Sequence, residues 1–226
     1  IFSGERAAIL LFLTSNLLLL VIFFKNIKKF LLFLLFLTSF SFIVFTFLLS
    51  SDFKVRYVET TLNDIKSLDH IIDSHYGAHY ITAYNIFLDY PLLGVGQNNF
   101  RNKCSDEKYD LLKSARIKDR CSTHPHNYYI QILSDLGLFN FLIFLILIFL
   151  IFYEIYIKKN STNKIFFYGK LVSLFVILWP FVPTGSFYNN WLSAINWIII
   201  SISISNMDNN YTDKLFAFLK YNKDRK

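Results

Sequence analysis

The chain has 226 residues, of which 54% are hydrophobic and 26 are Phe, against only 7 Gly and 4 Pro. That apolar excess is more than a water-soluble core needs. The formal charge of +7 raises the question of a nucleic-acid partner, but the basic residues sit where membrane orientation signals sit, and no nucleic acid is expected.

The sequence opens at Ile1, without Met, and we treat it as a segment of a longer protein. It carries no basic leader and no small-residue cleavage site, so it does not open on a signal peptide. Five apolar runs read as transmembrane helices: 7–24, 30–50, 136–157, 165–183 and 190–206. Lys25, Lys28 and Lys29 separate the first two; Lys158, Lys159 and Lys164 separate the third and fourth. Lys214, Lys220, Lys223, Arg225 and Lys226 lie in the tail 207–226, whereas the connection 184–189 has no Lys or Arg. The positive-inside rule then makes the basic segments cytoplasmic. The N-terminal "SGER", the loop 51–135 and "TGSFYN" share the outer face. Lys170 falls inside the fourth helix, near enough to its cytoplasmic end to snorkel.

The loop 51–135 is too long for a simple connection, and such loops are usually functional. Within it, "YITAYNIFLDY" puts Ile81, Tyr84 and Leu88 on one helical stripe, with Tyr80 and Phe87 alongside. The stripe fits a helix lying on the membrane or on the bundle, and equally a core face of the loop's own fold. "YPLLGVGQNNF" then breaks the helix through Pro91, Gly94 and Gly96. No strand precedes these glycines, so they are a weak phosphate-loop signal. Cys104 and Cys121 are the only cysteines. A disulfide and two free thiols both fit the sequence; a bridge would pin Arg120 and the residues after Cys121. Between 101 and 120, seven basic residues against four acidic ones leave a net charge of +3. This is either a solvated face or a patch that favours an anionic, lipid-linked substrate.

His126 can exchange a proton near neutral pH and stands ahead of the third helix, on the outer face. Pro125 separates it from His124 and disfavours helix there. Arg6 opens the first helix on the same face. Its guanidinium is permanently charged and can clamp a phosphate bidentately; the plainer reading is a headgroup anchor. His75 and His79 stand four apart near Asp69 and Asp73, but Gly77 intervenes and the glutamate of a zinc-protease helix is missing, so no metal is expected. No Gly-x-Ser-x-Gly elbow supports a serine hydrolase.

These residues resemble the O-antigen ligase family, which includes O-antigen polymerases. His126-Asn127, nine residues, then Gly137 is similar to its His-Asn-(nine)-Gly signature. "SGERAA" resembles its serine–arginine–small-residue motif at the start of a membrane helix. "YPLLGVGQNNF" resembles its Pro-x-x-Gly-x-Gly-x-x-x-Phe stretch, and "PFVPTGSFYNNW" its break between two late helices. Asn140 departs from the family, which often has Gly, Thr or Tyr there.

The resemblance implies an all-α integral membrane domain over 1–206, with five transmembrane helices, a long, partly helical periplasmic loop and a likeness to lipid-donor (GT-C-like) glycosyltransferases. It places the protein in the bacterial inner membrane. It implies a metal-independent, inverting transfer of a glycan from undecaprenyl pyrophosphate to lipid A-core, or to the growing glycan in a polymerase, with no cofactor. His126 and Arg6 would be catalytic. Arg56, Arg101, Arg120, His124 and Asn127 would bind substrate, and membrane lipids would surround them. A transporter is the reading from another class; it expects charges or broken helices at mid-membrane, whereas Lys170 stands close to a helix end and the proline–glycine break lies at a surface.

Overall fold

The computed structural model describes residues 6–23, 33, 36–41, 43–44, 55, 59–60, 62, 66–112, 114, 116–160, 162, 164–181 and 183–205. Among them the chain is helical, with no strand. In order come α1 (Arg6–Phe23), α2 (Leu68–Ile72), α3 (His75–Asp89) and α4 (Phe100–Lys103), then 3-10 turns at Glu107–Leu111 and Ile117–Asp119, then α5 (Tyr128–Ile157), α6 (Lys164–Leu178) and α7 (Asn190–Ile204). The apolar run 30–50 lies mostly outside the described residues; positions 36–41 and 43–44 of it are helical.

Among the described residues one helix, α5, is long and apolar enough to cross a membrane, and three shorter apolar helices stand at Ile9–Ile22, Phe166–Leu178 and Asn190–Ile204. The third apolar run predicts a start at 136, but α5 begins eight residues earlier. Asn127 caps it there, its Oδ1 accepting from the backbone N–H groups of Tyr129 and Ile130 at 3.0 and 3.3 Å. The fourth run ends early, at Leu178, because the Trp179–Pro180 break cannot continue a helix. α6 packs against α1 and α7. Ile151 and Ile155 of α5 meet Phe167 and Leu174 of α6 in a buried apolar cluster, with Ile200 of α7 against it. At the far end of this bundle, Lys170 Nζ donates to the Ser205 carbonyl at 2.7 Å and Lys158 Nζ to the Ile204 carbonyl at 3.4 Å. Both cations thus cap the negative end of α7.

The region 66–126 has a core of its own, formed by Ala83, Ile86, Phe100, Cys104 and Tyr109, with Val95 and Ile130 packed on it. The α3 face that builds it carries Ala78, His79, Thr82, Ala83 and Ile86. The reading of Ile81, Tyr84 and Leu88 as a core stripe is therefore corrected: Tyr84 and Leu88 are exposed on the other side. Small residues decide which face goes inward. Ala78 and Ala83 let α3 lie close to its neighbours, and the larger Tyr84 and Leu88 stay outside. Cys104 and Cys121 form a disulfide with Cα atoms 5.4 Å apart, tying α4 to the segment that leads into α5.

Candidate functional site

α5 is broken once, at Gly137, whose φ of 74° and ψ of −178° are not helical. A break inside an apolar helix must be repaired hydrogen bond by hydrogen bond, because lipid offers no partners. Here the turn after α3 repairs it. The Ser134 and Asp135 carbonyls, which an unbroken helix would give to the N–H groups of Leu138 and Phe139, accept instead from Val95 N at 3.1 Å and Gly96 N at 2.7 Å. The freed N–H groups of Leu138 and Phe139 donate to the carbonyls of Pro91 and Leu92 at 2.7 and 3.4 Å. Asn140 Nδ2 donates to the Leu136 carbonyl at 2.8 Å, which gives the residue that departs from the family pattern a local role.

The exchange requires two glycines. A Cβ at Gly94 would collide with the Asp135 backbone, and one at Gly137 with the Leu92 carbonyl; both positions have positive φ, 67° and 74°. Close backbone packing is thus what Gly137 provides. Asp135 completes the junction: Oδ1 accepts from Phe100 N at 2.9 Å and Oδ2 from Asn98 N at 3.2 Å. The Pro91–Phe100 stretch and the first turns of α5, separate in sequence, are one structural unit.

A third segment closes against the other side of those turns. Asn127 Nδ2 donates to the Pro180 carbonyl at 2.7 Å, and Thr184 N to the His126 carbonyl at 2.7 Å. Gln131 Nε2 donates to Ser186 Oγ at 3.1 Å, and its Oε1 accepts from Phe187 N at 2.9 Å. The break after α6 is fixed to the head of α5 by these bonds.

His126 stands at the centre of this convergence, two residues ahead of α5. Its φ is 56°, a left-handed conformation that a non-glycine residue holds only where its surroundings enforce it. Buried Pro125 before it and the Thr184 bond on its carbonyl do so. Its ring lies 4.2 Å from that of His124, 5.3 Å from that of His79 and 5.2 Å from that of Tyr76, centroid to centroid. Ser122 Oγ donates to the His124 carbonyl at 2.6 Å and lies 3.3 Å from His126 Nε2. With its own proton directed at that carbonyl, Ser122 accepts from Nε2–H, which leaves Nδ1 as the basic nitrogen of His126. His79 Nδ1 lies 3.0 Å from the Arg120 carbonyl, an acceptor only, so Nδ1 of His79 carries that ring's proton. Burial holds His124 below the usual imidazole range, against an opposing bond from the Thr184 backbone; the charges of His79 and Arg101 push the same way as burial.

The sequence-derived site residues divide accordingly. His124 and His126 are together, and Arg101 is close enough to act on His124 electrostatically. The Arg101 guanidinium is in no ion pair among the described residues. Arg120 is engaged elsewhere: it pairs with Asp110, and its Nε donates to the Cys104 carbonyl at 2.8 Å. Asn127 uses both ends of its amide as cap and tether. Arg6 opens α1, but its side chain lies outside the described residues, as does Arg56. Among the described residues no group of three or more His, Cys, Asp or Glu is placed to hold a metal ion. Sequence reasoning missed Ser122, Gln131 and Asp135, and weighed His79 only as a metal ligand beside His75. The alternating Ser122-x-His124-x-His126 spacing was the one available signal for Ser122.

The fold and site define a helical protein with a histidine-centred polar site at the head of a helix long and apolar enough to cross a membrane. The O-antigen ligase family matches residues 1–145, and the chain belongs to that family. No curated protein and no solved structure matches the chain. The family carries an O-antigen ligase-type, glycosyltransferase-like activity in lipopolysaccharide biosynthesis, acting on lipid-linked glycans.

Proposed function

We propose that the protein transfers a glycan from undecaprenyl pyrophosphate to a hydroxyl of lipid A-core at the periplasmic face of the bacterial inner membrane, with His126 as general base. One observation carries this reading. His126 is held in a left-handed conformation at the head of α5, among His124, His79 and Ser122.

Both substrates are amphiphiles whose reacting ends emerge at the headgroup layer, so a base is needed at the lip of a membrane helix. Nδ1 of His126 takes the acceptor hydroxyl proton as the oxygen attacks the anomeric carbon. The new carbon–oxygen bond forms on the face opposite the pyrophosphate, the old one breaks, and the configuration inverts. The electron pair leaves with undecaprenyl pyrophosphate. Arg101 and Arg6 stabilise the charge developing there, and no metal takes part. Depressed by burial and by the nearby charges, His124 stays neutral at physiological pH and keeps a second positive charge away from the base. Tyr128, Phe144, Ile151, Phe187 and Trp197 line a small apolar pocket. Five membrane crossings, in the order the Lys and Arg distribution dictates, put every one of these groups on one face.

The test is transfer in washed membranes holding the full-length protein, with labelled lipid-linked donor and lipid A-core acceptor. Transfer is expected to survive EDTA, and Arg101→Lys and Arg6→Lys are each expected to impair it, because lysine keeps the charge and loses the bidentate fork. Loss of transfer on chelation, restored by a divalent cation, would remove the metal-free mechanism.

A further inference from the structure

The turn that repairs the α5 break also exposes apolar side chains that the fold does not use. Leu92 and Leu93 are 70% and 71% exposed, and Tyr84, Leu88 and Tyr90 beside them in sequence are exposed as well. Turns ordinarily place polar or small residues at their tips. This one carries two leucines, and the core of the region is built from the opposite face of α3, by Ala83 and Ile86.

Two observations identify what covers the leucines. The first is continuity. Leu92 is bonded through its carbonyl to Phe139 N, and Pro91 through its carbonyl to Leu138 N, so the tip is fixed beside the first residues of the apolar part of α5. Leu138, Phe139 and Leu142 there are exposed too, on a helix long enough to cross a bilayer. The second is the rim. Lys103 and Lys108 place their ammonium groups 5.1 and 5.6 Å from the centroid of the Tyr90 ring. Lys103 also pairs with Asp106, and Lys108 with Asp89, at 2.7 and 2.6 Å. An aromatic ring under lysine heads, at the edge of an apolar surface, is the chemistry of the headgroup level of a membrane.

We propose that the turn Tyr90–Leu93 is a membrane-inserted wedge: Leu92 and Leu93 enter the acyl region of the leaflet on the His126 side of the membrane, and Tyr90 with Lys103 and Lys108 lies among the headgroups. The wedge fixes the height of the histidine cluster above the acyl chains, because the same turn is bonded to both sides of the α5 break. It requires α5 to span the membrane and does not depend on the transfer reaction.

The experiment is depth measurement in the full chain, reconstituted in phosphatidylethanolamine–phosphatidylglycerol vesicles. Leu93→Cys is labelled with an environment-sensitive fluorophore; Cys104 and Cys121 are bridged and do not react. Lys118→Cys, on the exposed 3-10 turn, is the reference site. The label at 93 is expected to emit at shorter wavelength than the reference, to be quenched several-fold more strongly by lipids carrying a nitroxide on the acyl chain, and to be shielded from aqueous iodide. Quenching by iodide and not by the nitroxide lipid would overturn the wedge. Shielding from both quenchers would also overturn it, because another protein surface would then cover the tip. If the Leu93 variant does not accumulate, Leu92→Cys carries the same measurement with the same outcomes. None of these readings requires turnover, so a failure of the transferase assignment leaves them unchanged.

Discussion

The nine residues of α5 ahead of Gly137 and the twenty from Leu138 onward invert each other's polarity. Ahead of the break, Gln131, Ser134 and Asp135 are buried. Beyond it, Phe139, Ile146, Phe149 and Tyr156 are large apolar side chains left exposed. The first segment follows the rule of a water-soluble core, in which a polar group is buried only with its hydrogen bonds made. The second follows the rule of lipid, in which apolar surface faces outward without penalty. Twenty residues at ~1.5 Å each span about 30 Å, the hydrocarbon thickness of a bilayer. Gly137 is where one rule gives way to the other, and the candidate catalytic groups are collected just on the polar side of it.

The comparison makes substitutions at the junction costly and those in the lipid segment cheap. The largest effect is expected from Gly137→Ala and Gly94→Ala. Each forces a side chain into positive φ and into opposing backbone, and each should destabilise the protein by upward of ~3 kcal/mol. Thermal unfolding in detergent, with membrane abundance measured alongside, reads this directly. Asp135→Ala removes the acceptor of two backbone N–H groups and should destabilise by about 2 kcal/mol in the same assay.

A smaller effect sits at His124. Its folded pKa is depressed, so below the unfolded value of about 6.5 the unfolded chain binds the proton more readily, and stability falls with pH. Burial raises the Asp135 carboxyl to about 6, which contributes stability of the opposite sign over the same range. Unfolding midpoints measured between pH 8 and 5 should therefore show the parent losing more stability on acidification, or gaining less, than His124→Gln does. The smallest effect is expected at Ile146, exposed on the apolar segment: Ile146→Leu should change stability by less than ~0.5 kcal/mol in detergent or bilayer. A large loss there would mean that protein, and not lipid, covers that face.

The apolar runs exposed the helices of this fold because lipid demands long uninterrupted hydrophobicity, and few other structures do. The same signal misplaced the start of α5. Gln131, Ser134 and Asp135 read as loop when only hydropathy is followed, although Asn127 is a good helix cap and the residues after it could have extended the helix upstream. The backbone exchange between Val95–Gly96 and Ser134–Asp135 was not legible, because such pairing leaves no mark beyond glycines that permit close approach. Nor was the inward face of α3. Its helical period was visible, but two apolar stripes competed and the smaller side chains took the core. For the site, His126, His124 and Asn127 were found from their order along the chain. Ser122 was overlooked as an ordinary loop serine, and His79 was weighed only as a metal ligand because its partner carbonyl is 41 residues away.

The central claim is that the junction holds His126 as a base. The most direct measurement is glycan transfer by the full-length protein carrying His126→Ala, at membrane abundance matched to the parent. Losing a positioned general base typically lowers a rate by about a hundred- to ten-thousand-fold. Transfer to the surface glycolipid should fall into that range while lipid-linked donor accumulates, and His124→Ala should fall less. Parent-level transfer by His126→Ala at equal abundance would contradict the assignment.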